Sequence, residues 1–164
     1  MGTGKSAVGR NVAQRLGLSF IDSDHSIEQS EGRPIAEIFE RDGEPAFRRM
    51  ERVFVESGHP QSGCLVSCGG GLIIQPGMLE LVKGKGLVIC LLASPETIYE
   101  RTRHRKHRPL LNVGDPLEQI RTMLATREPV YRKAGTEVLT DKRSIGDVAA
   151  HVCRIYQSEA QQWS

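Results

Sequence analysis

Apolar residues along this chain alternate between helical spacing and short uninterrupted runs. Val8, Val12 and Leu16 recur every four residues, which predicts a helix that ends near Gly17. Similar helical patterns separate apolar runs that predict short strands. Because strands and helices alternate, the chain is predicted to form a three-layer α/β sandwich with a central parallel sheet and right-handed crossovers. The predicted strands cover residues 18–21, 64–68, 87–92 and 138–139.

Breaks in the helical pattern divide the segment that follows the first predicted strand. Gly32-Arg33-Pro34 separates two short helices, and Asp42-Gly43 predicts a turn. Pro45 suits the first turn of a new helix, because its missing N–H has no helical partner there. That helix carries Phe47 and Phe54 at helical spacing, and both are expected in the core.

Two later segments have clear patterns. Residues 87–92 are apolar throughout, which is typical of a central parallel strand covered on both faces. Apolar residues between 117 and 124 predict the buried face of a helix. We expect that helix to have Arg127 near its end, before Pro129.

Composition narrows the class of protein. The 164 residues predict one domain, spanning 1–164, with a substantial core. A net charge of +2 is too mild to favour nucleic acid or a membrane surface as the main partner. No apolar run approaches the roughly 20 residues of a membrane span, and no signal peptide is recognised. The 4 cysteines lack metal-ligand spacing, so we expect a reduced, cytoplasmic protein.

The first six residues match the end of the motif G-x-x-x-x-G-K-[ST], a phosphate-binding loop. Glycines let backbone N–H groups turn toward phosphate oxygens, and the following helix adds the positive end of its dipole. Lys5 can reach the β- and γ-phosphates, and Ser6 can offer its hydroxyl to Mg²⁺. The predicted ATP-binding loop therefore consists of Gly2, Thr3, Gly4, Lys5, Ser6 and Ala7.

Two carboxylates, Asp22 and Asp24, follow the first predicted strand. The carboxyl end of a strand beside a phosphate-binding loop is a suitable place for Mg²⁺ and for a substrate hydroxyl. The alternative is that Asp24 only caps the helix that starts near His25. The neighbouring phosphate-binding loop favours the functional interpretation.

Arg48 and the glycines at 69–71 each allow two interpretations. Arg48 and Glu51 are three residues apart on a predicted helix, and spacing alone favours a surface ion pair. Three consecutive glycines lose much conformational entropy on folding. A tight turn normally needs only one glycine, so the run favours a loop that a ligand approaches closely.

A basic segment at about 101–115 lies between two predicted helices. It can be a solvated charged loop, a nucleic-acid patch or a lid that closes over phosphates. Because a phosphate-binding loop precedes it, the lid is favoured, since arginines stabilise a phosphoryl group in transfer.

Taken together, these motifs resemble shikimate kinase, a family of small P-loop kinases in the nucleoside-monophosphate-kinase-like group. The resemblance covers nearly the whole chain, with the motifs in consistent order. The motifs are G-x-G-K-S at 2–6, D-x-D at 22–24, G-E-x-x-F-R-x-x-E at 43–51, the glycines at 69–71, R-P-L-L at 108–111 and R-x-P-x-Y at 127–131.

The resemblance implies that the γ-phosphate of ATP is transferred to a ring hydroxyl of shikimate, giving shikimate 3-phosphate for aromatic amino-acid synthesis. It also implies a monomer. At the phosphate end, Lys5 would hold phosphate. Ser6 would coordinate Mg²⁺ directly, and Asp22 would bind the same ion through water. Arg108 would contact the phosphoryl group in transfer, and Arg101 would lie near adenine. At the shikimate end, Asp24 would be the base, and Arg48 and Arg127 would hold the substrate carboxylate. The backbone at Gly69, Gly70 and Gly71 would form hydrogen bonds with the substrate. Phe39 and Phe47 would line the pocket around the substrate ring.

The start of the chain carries a separate expectation. The glycine that opens the phosphate-binding motif and the apolar strand that normally feeds it do not precede Met1. We expect either a misplaced start or a fragment of a longer protein. If Met1 is the true terminus, we expect weak stability and poor ATP affinity, because a central strand of the family's sheet would be missing.

Three other functions are weighed against this one. A related small-molecule kinase, such as one acting on gluconate, would share the phosphate-binding loop and the order of helices. A catalytically impaired binding homologue would keep the fold, but the intact Lys5, Asp22, Asp24 and Arg127 argue against it. A nucleic-acid-binding module has little support, because aromatic residues are scarce near the basic segment.

Overall fold

A computed structural model describes residues 2–103 and 115–160 of the chain. Within these ranges, helices and strands alternate as the sequence predicts. The helices are α1 (Lys5–Leu16), α2 (Ser23–Glu31), α3 (Ile35–Ser57), α4 (Met78–Lys83), α5 (Pro95–Thr102), α6 (Pro116–Ala134) and α7 (Ile145–Glu159). The strands are β1 (Ser19–Asp22), β2 (Cys64–Ser67), β3 (Ile89–Leu92) and β4 (Thr136–Leu139).

The strands form two parallel pairs in the described part of the chain. β1 pairs with β2, so that Phe20 lies opposite Leu65, and β3 pairs with β4, so that Leu91 lies opposite Val138. The parallel α/β architecture is therefore confirmed. β3 differs from the expectation of a central strand, because among the described residues it has a hydrogen-bonded neighbour on one side only. An all-apolar run indicates that helices cover both faces, but it does not report how many strands lie alongside.

Separate hydrophobic clusters hold the layers together. One cluster joins Val8 and Val12 of α1 to Val138 of β4 and Val148 of α7. It packs α1 against β4 and α7, and so holds the helix that follows the glycine loop. A second cluster contains the side chains that support α3, namely Ile27, Ile38, Phe47, Phe54, Val55, Leu72 and Met78.

The predicted turn at Asp42-Gly43 is confirmed as a break within α3. Gly43 has φ +78° and ψ 169°, which is not helical, and the helix resumes with Pro45 in its first turn. Arg33 forms an ion pair with Asp42 just before the break. The two halves of α3 therefore meet at Gly43, and the second half carries Arg48 and Glu51.

The predicted end of α6 is wrong. The helix continues through Pro129 and ends at Ala134. A proline inside a helix removes one backbone hydrogen bond, but tertiary contacts outweigh that loss here. Ala134 is buried, and the Tyr131 hydroxyl donates a hydrogen bond to the carbonyl oxygen of Gly70. Arg127 and Tyr131 consequently lie one turn apart on the same helix.

Two smaller expectations can also be compared with the structure. All four cysteines are free thiols. Each helix in the described ranges is too short or too polar to cross a bilayer.

Candidate active site

The glycine loop ends at Gly4, which is the N-cap of α1. Gly4 adopts φ +88° in the left-handed region, and it provides no side-chain cap for the helix. The first N–H groups of α1 are therefore not satisfied by a capping side chain, which is the arrangement that binds phosphate at a helix start. Thr3 is buried, and its hydroxyl has no hydrogen-bond partner among the described residues.

The two residues predicted to serve Mg²⁺ lie in contact. Ser6 Oγ donates a hydrogen bond to Asp22 Oδ2 at 2.8 Å. Asp22 Oδ1 accepts a hydrogen bond from the Asp24 backbone N–H at 3.2 Å, so Asp22 is the N-cap of α2. The alternative that Asp24 is only a helix cap is therefore wrong. α2 begins at Ser23, earlier than predicted, which leaves the Asp24 carboxylate without a capping role.

The Asp24 carboxyl faces the triple-glycine loop. A Cβ placed on Gly69 would lie 3.5 Å from Asp24 Oδ1. Burial raises the pKa of Asp24, the negative charge of Asp22 raises it further, and the positive charge of Lys5 opposes both effects. The result is a half-buried carboxylate that is more basic than an ordinary aspartate.

Arg48 forms a buried ion pair rather than the surface pair that spacing alone favoured. Its Nη1 donates to Glu51 Oε2 at 2.7 Å, and only 2% of the Glu51 side chain is exposed. Burial raises the pKa of Glu51, while the hydrogen bond and charge of Arg48 lower it, and the net shift is upward. Burial lowers the pKa of Arg48, but hydrogen bonds to Glu51 and Glu44 outweigh burial and raise it. Helical spacing could not reveal that the pair is buried, because the burial depends on the loop at 69–71.

The triple-glycine loop lies directly against Arg48. A Cβ on Gly71 would lie 2.9 Å from Arg48 Nη2 and 3.0 Å from Nη1, closer than a side chain tolerates. Glycine is therefore required at this position for the guanidinium to keep its place. Gly69 similarly borders Glu51, since a Cβ there would lie 3.7 Å from Glu51 Oε1.

Two phenylalanines form an apolar wall beside Arg48. The ring centroids of Phe39 and Phe47 are 5.0 Å apart, and the planes are tilted by 41°. Arg48 Cζ lies 5.5 Å from the centroid of Phe47. Phe47 is buried, whereas Phe39 is 38% exposed, so Phe39 presents apolar surface outward.

α6 is tied to the same loop from the other side. The Tyr131 hydroxyl donates to the Gly70 carbonyl oxygen at 2.8 Å. Arg127 is half-buried one turn before Tyr131, and no described residue forms an ion pair or hydrogen bond with it. α6, which contacts the loop through Tyr131, therefore also carries Arg127, and no described residue compensates the charge of that arginine.

Arg101 connects the glycine loop to the end of β4. Its Nη1 donates to the Gly2 carbonyl oxygen at 3.3 Å and to Thr140 Oγ1 at 2.9 Å, and its Nη2 donates to the Thr140 carbonyl oxygen at 2.9 Å. Arg101 belongs to α5, which ends at Thr102, so the first residues of the segment predicted as a lid, about 101–115, are helical. Arg108 and the rest of that segment up to residue 114 lie outside the described residues.

Sequence reasoning missed a polar cluster next to Arg101. Asp141 accepts hydrogen bonds from the Ser94 backbone N–H at 3.0 Å and from Thr97 Oγ1 at 2.6 Å. Burial raises the pKa of Asp141, but hydrogen bonds from Ser94 and Thr97 outweigh it and lower the pKa. Thr140 and Asp141 lie at the carboxyl end of a strand, as Asp22 does, and that shared pattern could have identified them.

Comparison with known proteins places the chain among relatives that match along nearly all of its length. The family model described as shikimate kinase matches residues 1–157. The shikimate kinase of Paracidovorax citrulli is 44% identical over 158 residues, covering 94% of this chain and 85% of the relative. A shikimate kinase of Thermus thermophilus is 46% identical over 153 residues, covering 93% of this chain and 83% of the relative.

Solved structures agree with the sequence matches. The shikimate kinase from Acinetobacter baumannii in complex with shikimate superimposes with a TM-score of 0.89 at 36% identity, covering 96% of this chain and 89% of that one. The shikimate kinase from Bacteroides thetaiotaomicron gives a TM-score of 0.82 at 25% identity, covering 96% and 94% respectively. The resemblance that the sequence motifs carried is thus confirmed, and the chain belongs to the shikimate kinase family.

Proposed function

We infer that this chain transfers the γ-phosphate of ATP to the 3-hydroxyl of shikimate, giving shikimate 3-phosphate and ADP. The observation that carries this inference is that one glycine loop contacts two complementary groups. Gly71 lies against the Arg48 guanidinium, and Gly69 lies against the Asp24 carboxylate. A small hydroxy acid needs a cation for its carboxylate and a carboxylate for its hydroxyls, and the loop brings both together.

At the shikimate end, we propose that Arg48 and Arg127 bind the substrate carboxylate. Guanidinium groups are planar and always charged, so they fix a carboxylate in both distance and orientation. The backbone at Gly69, Gly70 and Gly71 would offer hydrogen bonds to the substrate, with a donor at Gly71. Phe39 and Phe47 would cover the apolar face of the ring, which their 5.0 Å ring separation supports.

At the phosphate end, we propose that residues 2–7 form the ATP-binding loop, with Lys5 holding phosphate and Arg101 near adenine. The Ser6 hydroxyl and the Asp22 carboxylate are hard oxygen donors 2.8 Å apart, which suits Mg²⁺. No group of three or more acidic, histidine or cysteine side chains that could hold a metal occurs in the described ranges. A pair of oxygen donors nevertheless fits Mg²⁺, because this ion keeps waters and substrate phosphates as its other ligands. When bound, Mg²⁺ neutralises charge on the β- and γ-phosphates.

Asp24 is the proposed base for the transfer. The substrate hydroxyl oxygen bonds to the γ-phosphorus while the bond from that phosphorus to the bridging oxygen of ADP breaks. The proton of the hydroxyl passes to the Asp24 carboxylate. Burial makes this carboxylate more basic than usual, which improves its ability to accept a proton near neutral pH.

We further propose a single domain over residues 1–164, with a lid at about 101–115 that carries Arg108 to the transferring phosphate. A lid would keep water from competing with shikimate for the γ-phosphate. The proposed state is a cytoplasmic monomer, and the free cysteines support a reducing compartment.

The test is ADP release measured with shikimate, gluconate and a panel of sugar acids. We expect ATP-dependent turnover with shikimate and none above background with gluconate. Lys5→Ala is the control, since it should abolish turnover in a folded protein. Turnover with gluconate but not with shikimate would contradict the proposed function, and binding of shikimate without turnover would favour an impaired homologue.

A further inference from the structure

All three nitrogens of the Arg48 guanidinium already donate hydrogen bonds to glutamates. Nε and Nη2 donate to a single oxygen, Glu44 Oε1, at 3.0 and 2.6 Å. Nη1 donates to Glu51 Oε2 at 2.7 Å. The two N–H groups that remain, one on Nη1 and one on Nη2, border Gly71, where a Cβ would lie 3.0 Å from Nη1 and 2.9 Å from Nη2. A carboxylate that takes the Nε–Nη2 edge must displace Glu44, and one that takes the position on Nη1 must displace Glu51.

The two glutamates differ in how readily they can leave. Only 2% of the Glu51 side chain is exposed, so separating it from Arg48 would leave a buried carboxylate without its partner. The Glu44 side chain is 58% exposed, and its carboxylate can return to water at little cost. Glu44 is thus the partner that an external carboxylate can replace. The edge it occupies, Nε with Nη2, is one that forms a two-point contact with a carboxylate.

The backbone next to Glu44 also permits this exchange. Gly43, immediately before it, has φ +78° and ψ 169° and separates the two halves of α3. Glu44 therefore lies at the start of the second half, immediately after the break. Its neighbour on the other side of the break, Asp42, is held separately by Arg33.

We propose that Glu44 is a built-in competitor for the substrate carboxylate. It occupies the Nε–Nη2 edge of Arg48 when the site is empty, and it moves into solvent when the acid binds. This inference rests on the proposed function, because it takes Arg48 as the receptor of the substrate carboxylate. The consequence is selectivity: a ligand must carry a carboxylate that binds Arg48 better than Glu44 does, and a neutral analogue gains nothing by displacing it.

The test compares Glu44→Gln and Glu44→Ala with the unchanged protein. We expect the Kd and the KM for shikimate to fall about two- to fivefold, the range that an exposed ion pair accounts for. kcat and the KM for ATP should stay the same. Glu40→Gln is the matched control, because it removes the same charge from an exposed position of the same helix without contact to Arg48. Circular dichroism and the Tm verify that each variant is folded.

A neutral ligand distinguishes competition from a general change in the site. The methyl ester of shikimate cannot form the charged contact, so its Kd should be equal for the unchanged protein and for Glu44→Gln. An unchanged or raised Kd for shikimate in both Glu44 variants would overturn the inference, as would an equal fall for the ester. The proposed function is read separately, from whether the unchanged protein releases ADP with shikimate at all.

Discussion

Glu51 Oε2 lies 2.7 Å from Arg48 Nη1 in a pocket that leaves 2% of the Glu51 side chain exposed. The pair is tied to the core of α3, since Phe47 and Phe54 are buried on the same helix. A buried carboxylate of this kind fixes the rotamer of its partner and so pre-organises the site. Its role is to position Arg48 rather than to touch substrate.

Glu51→Ala should weaken both the fold and the substrate site. The truncation removes the hydrogen bond to Arg48 and leaves a cavity at a buried position, and we expect a fall in the free energy of unfolding on the order of 2 kcal/mol. The KM for shikimate should rise more than the KM for ATP. Glu56→Ala is the control, because the ion pair of Glu56 with Arg52 is long, at 3.7 Å, and exposed. Urea denaturation and steady-state kinetics measure both effects, and equal stability of the two variants would contradict the prediction.

Arg48→Ala should raise the KM for shikimate far more than the KM for ATP. The guanidinium is the proposed contact for the substrate carboxylate, whereas the ATP loop lies at the start of α1. The neighbouring Arg49→Ala is a matched control, because Arg49 is exposed and faces solvent. Steady-state kinetics with each substrate varied in turn will measure the difference. An unchanged KM for shikimate in Arg48→Ala would refute the assignment of Arg48.

Gly71→Ala should displace Arg48 without removing any charge. The new methyl group would lie 2.9 Å from Arg48 Nη2, so the guanidinium must shift. We expect a rise of about tenfold or more in the KM for shikimate, since small displacements of a positioning group are costly. Gly86→Ala is the control, because a Cβ there meets no atom within 4 Å. Similar KM values for the two variants would show that the close contact at Gly71 is unimportant.

Asp24→Asn should abolish turnover and yet stabilise the protein at neutral pH. Burial raises the pKa of Asp24 above its ordinary value of 3.8, so folding disfavours the ionised form. The wild type therefore loses stability relative to Asp24→Asn as the pH rises through the raised pKa of Asp24. Below the ordinary pKa both side chains are neutral, and the advantage of the variant should disappear.

Thermal melts of both proteins between about pH 3 and 8 will measure this crossover. In the same window, kcat/KM of the wild type should fall as the pH falls through the raised pKa of Asp24, because a protonated carboxyl cannot accept the proton of the substrate hydroxyl. The expectation fails if Asp24→Asn is less stable than the wild type at neutral pH, or if it retains turnover.

The sequence predicted the elements well where local chemistry decides them. The turn at Asp42-Gly43 was identifiable because glycine tolerates a positive φ and Pro45 suits the start of a helix. Pro129 misled the prediction for α6, because the hydrogen bond from Tyr131 to Gly70 spans 61 residues of sequence and leaves no local trace.

Some residues of the candidate site could be singled out from local sequence. Asp22 was identified at the end of a predicted strand and Ser6 in a glycine loop, and the structure places their side-chain oxygens 2.8 Å apart. The competition at Arg48 was not foreseen. Helical spacing gives Glu44 and Glu51 as equivalent neighbours of Arg48, at four and three residues, and only burial separates their roles.

Arg101→Ala should impair ATP binding while it leaves shikimate binding unchanged. The Arg101 guanidinium joins the Gly2 carbonyl oxygen, at 3.3 Å, to Thr140, at 2.9 Å, so its loss frees the glycine loop from the end of β4. A less ordered loop loses affinity because its ordering must then be supplied on binding. We expect a rise of about tenfold in the KM for ATP.

Arg103→Ala is the matched control for this variant, because Arg103, just after the same helix, forms an exposed ion pair with Glu100 at 3.0 Å. Isothermal titration with a non-hydrolysable ATP analogue separates loss of binding from loss of chemistry. If Arg101→Ala instead raised the KM for shikimate, the contact at Gly2 would be acting through the substrate end of the site. That result would contradict a division in which α5 supports the nucleotide and the second half of α3 supports the acid.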